Sequence, residues 1–109
     1  MAVQLILQQA GPLPITTTFN SPSDAPTYIE VNGSVWTQTA NVLIGFDILI
    51  DGVGVGKAQI FSNASSTHRA VVPVYIPVKL GQGQHKITLT PSANTVSDFN
   101  DRYTAVIHY

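Results

Sequence analysis

Three histidines, His68, His85 and His108, are the side chains of this 109-residue chain that ordinarily titrate near neutral pH. Imidazoles ligate zinc and nickel, so three of them brought together would make a metal centre. Their spacings of seventeen and twenty-three residues match no local ligand motif, and the plainer reading is three surface or subunit-interface histidines. The run Ser97-Asp98-Phe99-Asn100-Asp101 places Asp98, Asn100 and Asp101 within four residues. Such oxygens suit calcium, but the spacing is not an EF-hand and no distant glutamate stands out to complete a shell. Asp and Asn in such a run more often bond to nearby backbone and hold a turn, here the one before the last strand. Trp36 is the sole tryptophan. With Tyr28, Tyr75 and the amide-rich loops it offers flat faces that stack on a pyranose, while Asp98 and Asn100 bond hydroxyls, so Trp36, Tyr28, Asp98 and Asn100 form the candidate ligand set. Against this stands the usual place of a large aromatic, in a core or an interface. Asp47 and Asp98 share no motif that would make them a glycosidase pair. No G-x-S-x-G and no phosphate-binding glycine loop occurs, and Gly52-Val53-Gly54-Val55-Gly56 lacks the following helix of a dinucleotide site. No catalytic residue, metal or cofactor is assigned.

The elements that must carry these residues alternate with period two. Val42, Ile44, Phe46, Ile48 and Ile50 fill one face of the strongest core strand, and Asp51-Gly52 turns it back into a glycine-rich strand ending near Phe61, a hairpin. Val72, Val74, Ile76, Val78 and Leu80 share one parity of the stretch from Arg69, with Val71, Pro73, Tyr75 and Pro77 on the other. Proline lacks the ladder donor, so that strand belongs at an edge. Gly81 and Gly83 suit a reversal into His85, Ile87 and Leu89, which reads as a second hairpin. Val3, Leu5 and Leu7 mark a first strand and Ile15, Thr17 and Phe19 another. Ile29, Val31 and Val35 mark a third, in which Gly33 indicates a bulge or a close approach. The last strand runs from Arg102 to Tyr109. No window has a helical period, and turn signals recur every eight to twelve residues or so. The expected fold is all-β, an antiparallel two-sheet sandwich of jelly-roll type with about eight or nine strands, forming one domain over 1–109.

Charged residues make up 10% of the chain, where about 25% is usual. Five basic residues against six acidic ones, singly scattered, give no footprint for nucleic acid or an anionic membrane. Cysteine is absent, which removes disulfides and thiolate metal sites. No basic leader and no apolar run near 18 residues occurs, so a soluble chain without a signal peptide or membrane insertion is expected, its compartment unknown. So little charge accompanies either a neutral Ser/Thr/Asn surface or an apolar surface covered by further copies. The parity of the last strand sets Tyr103, Ala105, Ile107 and Tyr109 opposite Val106; with Tyr75, the residues Tyr103, Ile107 and Tyr109 are the expected oligomer interface.

The pattern VPVYIPVKLGQGQHKITL, followed by a polar loop and a Tyr-rich last strand, resembles the tumour necrosis factor/C1q group of trimeric jelly rolls, over roughly residues 42–109. That resemblance implies a homotrimer with its last strand near the threefold axis, and by itself no activity. The leading expectation is a non-enzymatic homo-oligomeric binding module with a carbohydrate ligand, lectin-like. The alternatives are a structural or appendage module of a larger particle, and a His-dependent metalloenzyme on a small β-barrel.

Overall fold

The computed structural model describes residues 2–109. Among them lie nine strands and no helix: β1 (Val3–Ala10), β2 (Ile15–Ser21), β3 (Thr27–Val35), β4 (Val42–Ile50), β5 (Val53–Ser62), β6 (Arg69–Ala70), β7 (Val74–Val78), β8 (Gly83–Pro91) and β9 (Arg102–His108). They form two antiparallel sheets packed face to face. One is four-stranded, in the order β2-β8-β4-β5. The other is five-stranded and runs β1-β9-β3; the far side of β3 is shared by β7, opposite Thr27–Val31, and β6, opposite Ser34–Val35. The expected β-sandwich is therefore the observed fold class.

Period-two patterning explains the core. Ile44, Phe46, Ile48 and Ile50 of β4, with Ile87 and Leu89 of β8, face Ile29, Val31 and Val35 of β3 and Tyr103, Ala105 and Ile107 of β9. All are buried, and each large side chain contributes about 1.5–3 kcal/mol relative to exposure. The β4–β5 hairpin closes as expected, with φ of 51° at Asp51 and 82° at Gly52, both in the left-handed region that a tight primed turn requires. β7 pairs with β3 alone, so Pro77 does sit at an edge, while Pro73 lies just ahead of the strand.

Four expectations are corrected. β7 and β8 are not a hairpin: they lie in different sheets, and the segment holding Gly81 crosses between them. Glycines permit a reversal without choosing the partner, and Ile87 and Leu89 gain their burial between β2 and β4. Second, the alternation slips at Pro73, between β6 and β7, so Val71 is buried and Val72 exposed while Ile76 keeps its inward position. Third, Tyr103 and Ile107 are wholly buried and offer nothing to a partner subunit. β9 lies between β1 and β3 and turns its more apolar parity inward, leaving Thr104, Val106 and His108 outside. Fourth, a register shift between Leu5 and Leu7 turns Ile6 and Leu7 into the core and leaves Val3 and Leu5 outside. Gly33 marks a close approach: a Cβ there would collide with the Tyr103 ring.

The antiparallel order collects the connections at two ends. The β1–β2, β3–β4, β5–β6 and β8–β9 loops share one end. The β2–β3 loop, the Asp51-Gly52 turn and the β7–β8 segment share the other.

Candidate functional site

The first of these ends gathers the chemistry. Asp101 closes the β8–β9 loop and is buried. Its Oδ1 accepts from Ser34 Oγ at 2.8 Å and from His68 Nδ1 at 2.6 Å, and its Oδ2 accepts from the Asp98 backbone N–H at 2.9 Å. One carboxylate therefore joins β3, the β5–β6 loop and its own loop. A buried carboxylate is tolerable only when so bonded. The loops are further tied by Trp36 N–H to Val96 O at 3.0 Å and Val96 N–H to Trp36 O at 2.8 Å. Leu13 N–H donates to Ser97 Oγ at 2.7 Å, Gly11 N–H to Asp101 O at 2.9 Å, and Ser66 N–H to Thr37 O at 2.7 Å.

Above this base the surface is mixed. His68 Nε2 lies 3.7 Å from Asp98 Oδ2, so its ring sits between two carboxylates. The hydrogen bond to Asp101 raises the His68 pKa, opposed in part by desolvation and helped by the charges of Asp101 and Asp98. Trp36 lies 6.0 Å from the His68 ring, partly buried, its indole N–H shielded and without a protein acceptor. Asp98 Oδ1 accepts from the Asn100 backbone N–H at 2.8 Å, which fixes the loop tip. That tip presents Phe99, 80% exposed, between Asp98 and Asn100. At the same end a polar cleft of about 260 Å³ is lined by Thr37, Gln38, Thr39, Asn94, Thr95 and Val96. Beneath the loops the buried Tyr103 hydroxyl lies near Ser97 without a well-formed hydrogen bond, and burial pushes its pKa up.

Of the four residues expected to bind ligand, Trp36, Asp98 and Asn100 lie at this end. Tyr28 does not: it sits at the opposite end of β3, stacked on His108 at 4.5 Å and 10°. The three histidines do not converge, and each has its own carboxylate. His85 donates from Nδ1 to Asp51 Oδ2 and from Nε2 to Gly81 O, both at 2.6 Å. An acceptor at each nitrogen favours the protonated ring, and its pKa is raised, by the Asp51 bond first and then by the Gly81 carbonyl. His108 Nε2 is 3.0 Å from Glu30 Oε1. A three-histidine metal centre is thus ruled out by placement. His68, Asp98 and Asp101 cluster closely enough to be considered as metal ligands, but Asp101 already spends both oxygens on hydrogen bonds.

Phe99 is the residue the sequence reading passed over. Its signal was local: an aromatic in a polar, aperiodic loop has no core face to enter. His68 was singled out, but its partner Asp101 is 33 residues away, beyond any local pattern.

No protein-family profile and no curated protein matches this chain. Among solved structures it resembles a family 35 carbohydrate-binding module from Clostridium thermocellum, with a TM-score of 0.52 and 16% identity over 95% of this chain and 90% of that one. A second, the carbohydrate-binding module CBM36 in complex with calcium and xylotriose, has a TM-score of 0.47 and 17% identity over 99% of this chain and 87% of that one. The first likeness bears on the fold and the second is too distant to bear on it. Both are carbohydrate-binding modules, and neither belongs to the tumour necrosis factor/C1q group.

Proposed function

We propose that this chain is a non-catalytic carbohydrate-binding module whose ligand surface is the loop end around Phe99. One observation carries the reading: a large aromatic is held almost fully in solvent by a hydrogen-bonded loop, flanked by a carboxylate and an amide. Exposing a phenyl ring forgoes about 1.5–3 kcal/mol of burial, and a pyranose recovers part of it by laying its apolar C–H face on the ring. Asp98 and Asn100 reach the equatorial hydroxyls beside that ring, and Gln38 and Asn94 extend hydrogen bonding along the cleft. Because Asp101 pins the loop beforehand, binding orders little new backbone. The surface is open and shallow, which suits part of a longer glycan chain rather than an enclosed monosaccharide. A fold shared with a family 35 carbohydrate-binding module supports the reading without choosing the sugar.

Affinity electrophoresis through gels containing a panel of soluble polysaccharides tests it. At least one polysaccharide should retard the parent chain, and Phe99→Ala should bind about tenfold more weakly, near the ~1.4 kcal/mol of one aromatic contact. Its melting temperature should not change, because Phe99 packs against no core. Absence of retardation across the panel, or retardation indifferent to both Phe99→Ala and Asp98→Ala, would overturn the proposal.

A further inference from the structure

The end of the sandwich opposite Phe99 is tied together by His85. Between β7 and β8 the chain leaves one sheet for the other through Lys79-Leu80-Gly81-Gln82. Of these four, Leu80 packs against the core, while Lys79, Gly81 and Gln82 are exposed. Polar bonds supply the rest of the hold. Gln82 N–H donates to Asp24 Oδ1 of the β2–β3 loop at 2.6 Å, and Gly81 O accepts from His85 Nε2 at 2.6 Å. The other ring nitrogen, Nδ1, donates to Asp51 Oδ2 at 2.6 Å. Asp51 is in turn fixed to β8: its Oδ1 accepts from Lys86 N–H at 2.9 Å, and its own N–H donates to Lys86 O at 2.8 Å.

We propose that His85 is a pH-operated latch on the β7–β8 crossover, closed while the ring carries two protons and open once it carries one. Both of its contacts end on oxygens that only accept, so each requires an N–H from the ring. A neutral imidazole has a single N–H. That proton stays on Nδ1, because a carboxylate makes the stronger, charge-assisted bond and a peptide carbonyl does not. Nε2 then turns a lone pair on the Gly81 oxygen at 2.6 Å, and two acceptors at that distance repel. The crossover has room to move away, since nothing lies within 4 Å of a Cβ placed on Gly81. The groups around the ring set where it titrates. Asp51 favours the charged ring, and Lys86, the next residue of β8, places a positive charge beside Asp51. Phe19 of β2 stands 6.0 Å from the ring and brings no charge, and Asp24 acts on the crossover through the Gln82 N–H. Desolvation opposes Asp51 only in part, so the latch opens above the ordinary imidazole value of 6.5.

Trypsin cleavage after Lys79 in the whole chain tests this, each rate divided by that of a free peptide spanning 75–84 to remove the protease's own pH dependence. From about pH 6 to about pH 9 the normalised rate at Lys79 should rise about tenfold, because cleavage follows the population of the locally opened segment. Cleavage after Lys57, Arg69 and Arg102 should not follow it. His85→Phe, which keeps a ring beside Phe19 but donates nothing, should be cut rapidly at Lys79 at both pH values, with circular dichroism confirming its fold. Histidine ring 15N spectra of the parent need no variant: both nitrogens of His85 should be protonated at about pH 6 and Nδ1 alone at about pH 9. A normalised rate indifferent to pH, a rise shared by all four sites, a folded His85→Phe that resists cleavage at about pH 6, or a neutral ring that keeps its proton on Nε2 overturns the proposal.

Discussion

Asp101 has no surface of its own, yet it receives donors from Ser34, His68 and the Asp98 backbone, so the loop end depends on a single carboxylate. Asp101→Ala removes the acceptor of half-buried Ser34 and of the Asp98 N–H, along with the partner of exposed His68, and should cost about 1–2 kcal/mol in urea unfolding, with Asp101→Asn costing less. The histidines give a pH signature. His68 and His85 both have folded pKa values raised above the ordinary 6.5. Their contribution to stability is therefore fully present below about pH 6.5 and is lost as pH rises through the raised folded values. Asp51 is depressed below 3.8, chiefly by its bond to His85, so its contribution holds above that value and is lost only as pH falls through the lower folded one. Melting temperature should thus be highest between about pH 4 and 6.5 and decline on the alkaline side, and His68→Gln with His85→Gln should flatten that decline. At this scale the sequence supplied the reactive residues but not their partners. Trp36, His68 and Asp98 are joined only by the ordering of strands, and that same ordering sends Tyr28 to the far end of β3.

At the scale of elements, the faces of β3 and β4 followed from alternation alone, and Asp51-Gly52 marked the hairpin that returns β4 into β5. Pairing across the sandwich was less legible, because β8 finds its neighbours by burying Ile87 and Leu89, which no turn sequence encodes. Nor could the parity slip at Pro73 be read without knowing that β6 and β7 share β3 as a partner. The last strand was misread for another reason. Tyr, Ala and Ile form the more apolar of its two parities, and in a strand flanked on both sides that parity is drawn into the core whatever the preference of tyrosine for interfaces. Glycines give a check on the packing. In Gly33→Ala the new methyl meets the buried Tyr103 ring, which also packs edge-on against Phe46 at 5.5 Å, so neither ring has room to yield. A loss of about 2 kcal/mol or more is expected in thermal or urea unfolding. Gly54→Ala, with nothing within 4 Å of the new methyl, should be neutral or slightly stabilising.

The whole molecule is 43 Å long and 23 by 20 Å across, with the Asp101-centred loop cluster at one end. Low charge content foreshadowed apolar side chains exposed among neutral polar ones, and both outer faces carry them, Val3, Leu5 and Tyr75 on one sheet and the paired Leu43 and Phe61 on the other. What composition could not convey is which parity of β9 faces out: Thr104, Val106 and His108 do, while Tyr103 and Ile107 are buried.

The most direct test of glycan binding at the loop end is a titration followed by backbone amide NMR, using a soluble oligosaccharide of whichever polysaccharide retards the chain. Binding there predicts progressive shifts confined to Asp98, Phe99, Asn100, His68, the Trp36 indole and the Gln38–Asn94 cleft, with Tyr28 and Tyr75 unmoved. Shifts centred instead on Tyr28, Tyr75 and Val106, or none at saturating sugar, would contradict it.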